Sequence, residues 1–141
     1  MEPEPLPTDH RCFLCGRNNP QGLKLRFTYP EAGSTQTELR IPDRFCGWRN
    51  VTHGGFLAML LDETMAHACL SAGRMMVTAD MSVRYVSPVV VGTTIKAEAR
   101  VAEERGRIAR AEGRITTADG TLVARASARF LAAGDVPPDR S

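Results

Sequence analysis

Aromatic side chains are scarce in this chain: one tryptophan, two tyrosines and five phenylalanines among 141 residues. They are scattered, and no basic run is interleaved with them, which argues against a nucleic-acid partner. Charge of one sign is lacking too. Eighteen Lys and Arg face sixteen Asp and Glu, a net charge of only +2. No apolar run reaches the roughly 20 residues that a bilayer-spanning helix needs. The opening MEPEPLPTDH has neither the basic nor the apolar region of a signal peptide. The expectation is a cytoplasmic protein with no membrane and no nucleic-acid partner. The length suits one domain around one core.

Four cysteines are present: Cys12, Cys15, Cys46 and Cys69. Cys12 and Cys15 form a C-x-x-C, but Gly16, Asn18, Asn19 and Pro20 around it signal a turn. A redox motif wants the start of a helix beside a βαβ unit. Zinc would need about four ligands, met by His10, Cys12, Cys15 and Cys46 only if Cys46 folds back. The preferred reading is a structural knuckle, with no metal and no cofactor.

Residues 50–73, NVTHGGFLAMLLDETMAHACLSAG, read as one helix with a glycine-rich start. Thr52 is the expected N-cap and Gly73 lies just past the end. The segment is apolar nearly all round, so the rest of the chain should wrap it. At about 100° per residue, Glu63, Thr64, His67 and Ser71 share one arc, which can face water or a partner. Asp62 lies outside that arc, flanked by Ala58, Met65, Ala66 and Cys69. A carboxylate alone on an apolar face is costly unless something satisfies it.

The remaining patterns are strands. Leu23, Leu25 and Phe27 alternate with polar residues over 22–29, and 35–41 follows as the second arm of a hairpin. Residues 75–86 carry Val77, Val83 and Tyr85 and end at Ser87-Pro88. Three more alternating stretches follow Gly92, with Arg105-Gly106 and Asp119-Gly120 as turns. Their inward positions are mostly alanine and glycine, which let a bulky helix come close. The pattern gives an α+β architecture: a long central helix wrapped by a curved antiparallel sheet of five or six strands. Residues 1–21 are an N-terminal extension carrying the cysteine turn, with 1–9 loosely draped. Residues 22–132 are the domain, and 133–141 a polar tail.

Three segments resemble a known family. They are CFLCGRNNPQGLKLRF, then HGGFLAMLLDE with an acid nine positions after the histidine, then VTADMSVRYVSPVVVG. Together they are similar to the hotdog-fold acyl-CoA thioesterases, the PaaI-like branch in particular, over about residues 12–131. The resemblance implies a homodimer or dimer of dimers with active sites at the interface, acting on an acyl-CoA substrate. It implies that Asp62 is the general base or nucleophile, that the N–H of Gly54 or Gly55 polarises the thioester carbonyl, and that Thr78 positions the water or the acid. Some relatives carry Asn or Gln at the position of Gly47; Asn50 is the nearby substitute. His53, Gly55 and Asn50 are expected to hold substrate, with Ser87, Arg84, Arg105 and Arg107 beside the CoA. His53 is better read as fixing its loop than as a base. The alternative is a non-catalytic acyl-CoA-binding or regulatory hotdog domain, which would not need Asp62. A hydratase-type Asp and His pair is not found.

Overall fold

A computed structural model describes residues 10–133. The segment expected to drape loosely at 1–9, and the tail after 133, lie outside the described residues. Five strands form one antiparallel sheet: β1 (Ser34–Arg40), β2 (Met76–Tyr85), β3 (Thr94–Arg105), β4 (Ile108–Thr117) and β5 (Leu122–Ala132). Their spatial order is β1-β3-β4-β5-β2. Helix α1 (Gly54–Ser71) connects β1 to β2 and packs against all five strands.

The helix and sheet fit because their side chains are complementary in size. Leu60, Leu61 and Met65 are fully buried. Opposite them lie Ala97, Ala111, Ala124 and Ala128. Gly113 is nearer still: a Cβ built there would stand 3.2 Å from Met65 Cγ. Burying each of the large side chains stabilises the fold by about 1.5–3 kcal/mol. The helix ends where Gly73 N–H bonds Leu70 O and Arg74 N–H bonds Cys69 O, a Schellman closure.

Three expectations need correction. Segment 22–29 is not a strand, although its residues alternate between half-buried and exposed. Lys24 adopts a left-handed φ of 53°. Leu23 and Leu25 donate to the carbonyls of Phe13 and Leu14, and only Thr28 bridges to Gln36. The sheet therefore has five strands, and the segment lies along β1 as a strap. Thr35 and Thr37 hold it with hydroxyl bonds to the carbonyls of Thr28 and Arg26.

The N-cap is His53, not Thr52. Thr52 is tied up in an extended bridge to Cys46 and donates its N–H to Val89 O. Its buried hydroxyl has no hydrogen-bond partner among the described residues. The third correction concerns the polar arc of the helix. Thr64 and His67 are buried, because residues 10–29 cover that side.

Strand β2 is one edge of the sheet and carries a bulge. Thr78 pairs with Phe130 and Asp80 with Arg129, which leaves Ala79 as the extra residue. Without it, side chains two apart would stay on one face. With it, Thr78 shares the helix side with Met81, Val83 and Tyr85, while Asp80 turns outward to an ion pair with Arg129. Val77 consequently lies on the opposite face from Val83, half exposed rather than in register with it.

Candidate functional site

The helix and β2 run past each other, and two pairs of residues join them. Near the middle of α1, Thr78 Oγ1 donates to Asp62 Oδ1 at 2.5 Å. At its start, Tyr85 OH donates to Gly54 O at 2.8 Å. The Ala79 bulge makes this possible, because Thr78 and Tyr85 are seven residues apart and would otherwise face opposite ways. Asp62 is half-buried and Thr78 is exposed on the sheet edge. The carboxylate is thus held by one hydroxyl and opens towards that edge.

The helix start is built for close approach. A Cβ at Gly54 would lie 3.2 Å from the Tyr85 ring, so only glycine fits without displacing it. His53 Nδ1 accepts the N–H of Gly55 at 2.8 Å. That bond places the ring proton on Nε2 and commits both groups. The N–H of Gly54 has no hydrogen-bond acceptor among the described residues. It is therefore a donor at the positive end of a helix, available to a ligand.

The loop before the helix is a small hairpin. Gly47 N–H bonds Val51 O, and His53 N–H bonds Phe45 O. Arg49 and Asn50 take left-handed φ values of 50° and 64° at its turn, and Trp48 is exposed there. Asn50 spends its carbonyl on Val91 N–H, and its side chain stays exposed. Gly47 is paired inside this hairpin, and its Cβ would press on His53 Cα at 3.3 Å.

The expected CoA-contacting residues do not gather in one chain. Ser87 lies near the helix start, bonded through its N–H to Val123 O. Arg84 is on the sheet face away from the helix, in a groove it shares with Arg100, Arg114 and Arg125. Arg105 and Arg107 flank the Gly106 turn, which Arg74 meets just beyond the other end of the helix. An 18-residue helix is roughly 27 Å long, so these two stand far from Gly54.

A second polar cluster occupies the next position around the helix. Glu63 Oε1 accepts from His67 Nε2 at 3.1 Å and from Cys12 Sγ at 3.6 Å. Tyr29 OH bonds His67 Nδ1 at 2.9 Å, and Phe27 stacks on the imidazole with centroids 3.9 Å apart. Burial would raise the pKa of Glu63, but the donors from His67, Cys15 and Cys12 outweigh it and hold the group below the usual carboxylate range. Cys12 is lowered to about 6 by the bond from the Cys15 thiol, against burial, while that bond and burial push Cys15 up.

A helix gripped by a curled five-stranded antiparallel sheet is the arrangement of the hotdog fold. The chain belongs to the Thioesterase superfamily, whose family model matches residues 49–124, more than half of it. The chain is similar to an uncharacterised protein of Schizosaccharomyces pombe, 30% identical over 63 residues, a match spanning 43% of this chain and 36% of that protein. Among solved structures it resembles Escherichia coli PaaI from the phenylacetic acid degradation operon, at 21% identity and a TM-score of 0.75, covering 81% of this chain and 83% of that one. It also resembles a hypothetical thioesterase of Streptococcus pneumoniae solved with coenzyme A, at 17% identity and a TM-score of 0.74, covering 80% and 88%. No described helix is long and apolar enough to cross a membrane.

Tyr85 was not singled out by sequence reasoning. Its spacing from Thr78 conceals that the two share a face, because one-residue bulges leave no mark on strand periodicity.

Proposed function

We propose that this protein hydrolyses an acyl-CoA thioester to the free acid and CoA. The observation that carries the reading is the Thr78–Asp62 hydrogen bond at 2.5 Å. It fixes a carboxylate beside an open sheet edge; the helix-start amide without an acceptor lies eight residues, about 12 Å, along the helix, so a thioester at Asp62 would take that amide from the partner subunit. Asp62 takes the proton of the attacking water, or attacks the carbonyl carbon itself to give a mixed anhydride that water then opens to the free acid and the regenerated carboxylate. Thr78 holds the carboxylate in place. Gly54 N–H, rather than Gly55 N–H, stabilises the developing oxyanion, because Gly55 is committed to His53. The carbon–sulfur bond then breaks, and the CoA thiolate leaves with a proton.

Two further observations support the reading. The S. pneumoniae protein was also solved with an aspartate, and separately a threonine, replaced by alanine. Those two residues are sixteen positions apart, the same types and spacing as Asp62 and Thr78. The β2 edge, meanwhile, exposes Val77, Tyr85 and Val86 beside Leu131. An exposed apolar edge strand invites pairing. A homodimer, alone or as a dimer of dimers, would cover it and complete the site with the partner's residues. Arg105 and Arg107 would then serve the partner's CoA rather than their own, whereas Arg84 fits this role less well.

The test is free-thiol release from a panel of short-chain, medium-chain and aromatic acyl-CoA thioesters. Turnover of at least one of them by protein that scatters light as twice 15.4 kDa, or a multiple of it, is expected. CoA binding without thiol release across the whole panel would instead make this a binding domain.

A further inference from the structure

The cysteine turn, which the thioesterase reading leaves unused, meets the helix at Glu63, about 100° around from Asp62. Cys12, Cys15 and Glu63 bring their ligand atoms within 4.8 Å of one another. Cys12 Sγ lies 3.6 Å from Glu63 Oε1. With bonds of about 2.3 Å to sulfur and about 2.1 Å to oxygen, a tetrahedral zinc ion separates these two atoms by about 3.6 Å. The geometry points to a zinc site in which Cys12, Cys15 and Glu63 hold one ion and clamp the N-terminal turn onto helix α1.

The surroundings are built for such a site. The chain folds tightly about the first sulfur: Cys15 N–H points at Cys12 Sγ at 3.5 Å, and Gly16 N–H bonds Cys12 O at 2.8 Å. A Cβ on Gly16 would fall 2.5 Å from the backbone of Cys12 and from His10 O, so the turn requires glycine there. Backbone amides directed at a sulfur favour its thiolate form, the form that binds metal. The carboxylate is oriented in turn. Tyr29 OH bonds His67 Nδ1, and His67 Nε2 bonds Glu63, a chain of outer partners of the kind that fixes a ligand's direction.

Both ring nitrogens of His67 are thereby engaged, so it supports the site rather than ligating. His10 and Cys46, the other ligand types considered from sequence, are not in the cluster. Cys46 is exposed and makes its contacts with Gly47 and Asn50. The fourth position goes to water. Two thiolates and a carboxylate favour zinc over magnesium or calcium, which prefer all-oxygen shells. This inference does not depend on the thioesterase reading.

The test is titration of reduced, chelator-treated full-length protein with Co²⁺, followed by displacement with Zn²⁺. The site predicts one cobalt per chain, with sulfur-to-metal charge-transfer absorption and the visible bands of four-coordinate cobalt, both removed by one equivalent of zinc. Cys12→Ser and Cys15→Ser should each weaken zinc binding at least about tenfold and reduce the charge-transfer band. Glu63→Gln should keep that band and shift the visible ones, which tests the third ligand without touching the turn. His67→Gln, an outer partner, should weaken binding by about 10–100-fold. Circular dichroism confirms that each variant is folded. A six-coordinate cobalt spectrum without sulfur absorption, or zinc affinity unchanged in the double cysteine variant, would overturn the proposal in favour of a plain thiol–carboxylate hydrogen bond.

Discussion

Asp62 and Glu63 are neighbours in sequence with the same functional group, and the fold gives them different surroundings. Glu63 is enclosed: His67 and the cysteine turn donate to it, and Tyr29 and Phe27 back up the histidine. Asp62 has Thr78 and an open side. About 100° of helix rotation separates a carboxylate that is used up by its neighbours from one that is free to react. The comparison teaches that the number of donors around an acid, more than its burial, is what distinguishes these two carboxylates. Both groups are half-buried. On the proposed function, Glu63 serves packing and cohesion, and Asp62 serves chemistry.

That contrast is sharpened most by breaking the support of Glu63. His67→Ala removes the ring that stacks on Phe27 and leaves both Glu63 and Tyr29 short of a partner. Unfolding by denaturant should show a loss of about 3 kcal/mol, the range for breaking a buried polar network. The thiol-release rate of the folded fraction should change little. A loss under 1 kcal/mol would mean that the cysteine side contributes little to cohesion.

On the other side the expected effects are kinetic. Thr78→Val keeps the shape and removes the donor to Asp62, so kcat should fall about tenfold, near 1.4 kcal/mol. Stability should hardly move, because Thr78 is exposed. Tyr85→Phe removes the bond to Gly54 O but leaves the ring against the glycine. Its effect should be smaller, about threefold in kcat. If Tyr85→Phe costs more than Thr78→Val, the helix start matters more than the acid's orientation.

Much of this was legible in the sequence. The small residues of β3, β4 and β5 opposite Leu61 and Met65 announced a helix pressed onto a sheet. The helical wheel separated Asp62 from the arc of Glu63 and His67, and the separation is real. What the wheel could not show was the covering of that arc. Residues 10–29 come from far along the chain, and no periodicity within the helix reports a strap laid over it. The alternation of 22–29 was also real, but its backbone bonds go to Phe13 and Leu14, so burial pattern and ladder pairing part company there. The Ala79 bulge was silent for a related reason. One inserted residue reverses every later side chain, and only the partner strand reveals it. Glu63 as a companion to Cys12 and Cys15 was missed because its fifty-residue separation from them gives no local spacing signal; Cys46 was the ligand sequence order suggested.

The central claim is that Asp62 carries the reaction and Glu63 does not. The most direct measurement is kcat for thiol release by Asp62→Asn and Glu63→Gln, side by side on the best acyl-CoA of the panel. Both variants should first be shown to be folded and of native assembly state. Asp62→Asn preserves shape and removes the base, so kcat should fall at least about a hundredfold, while Glu63→Gln should cost no more than about fivefold. Near-normal hydrolysis by Asp62→Asn together with an inactive Glu63→Gln would contradict the account and move the chemistry to Glu63.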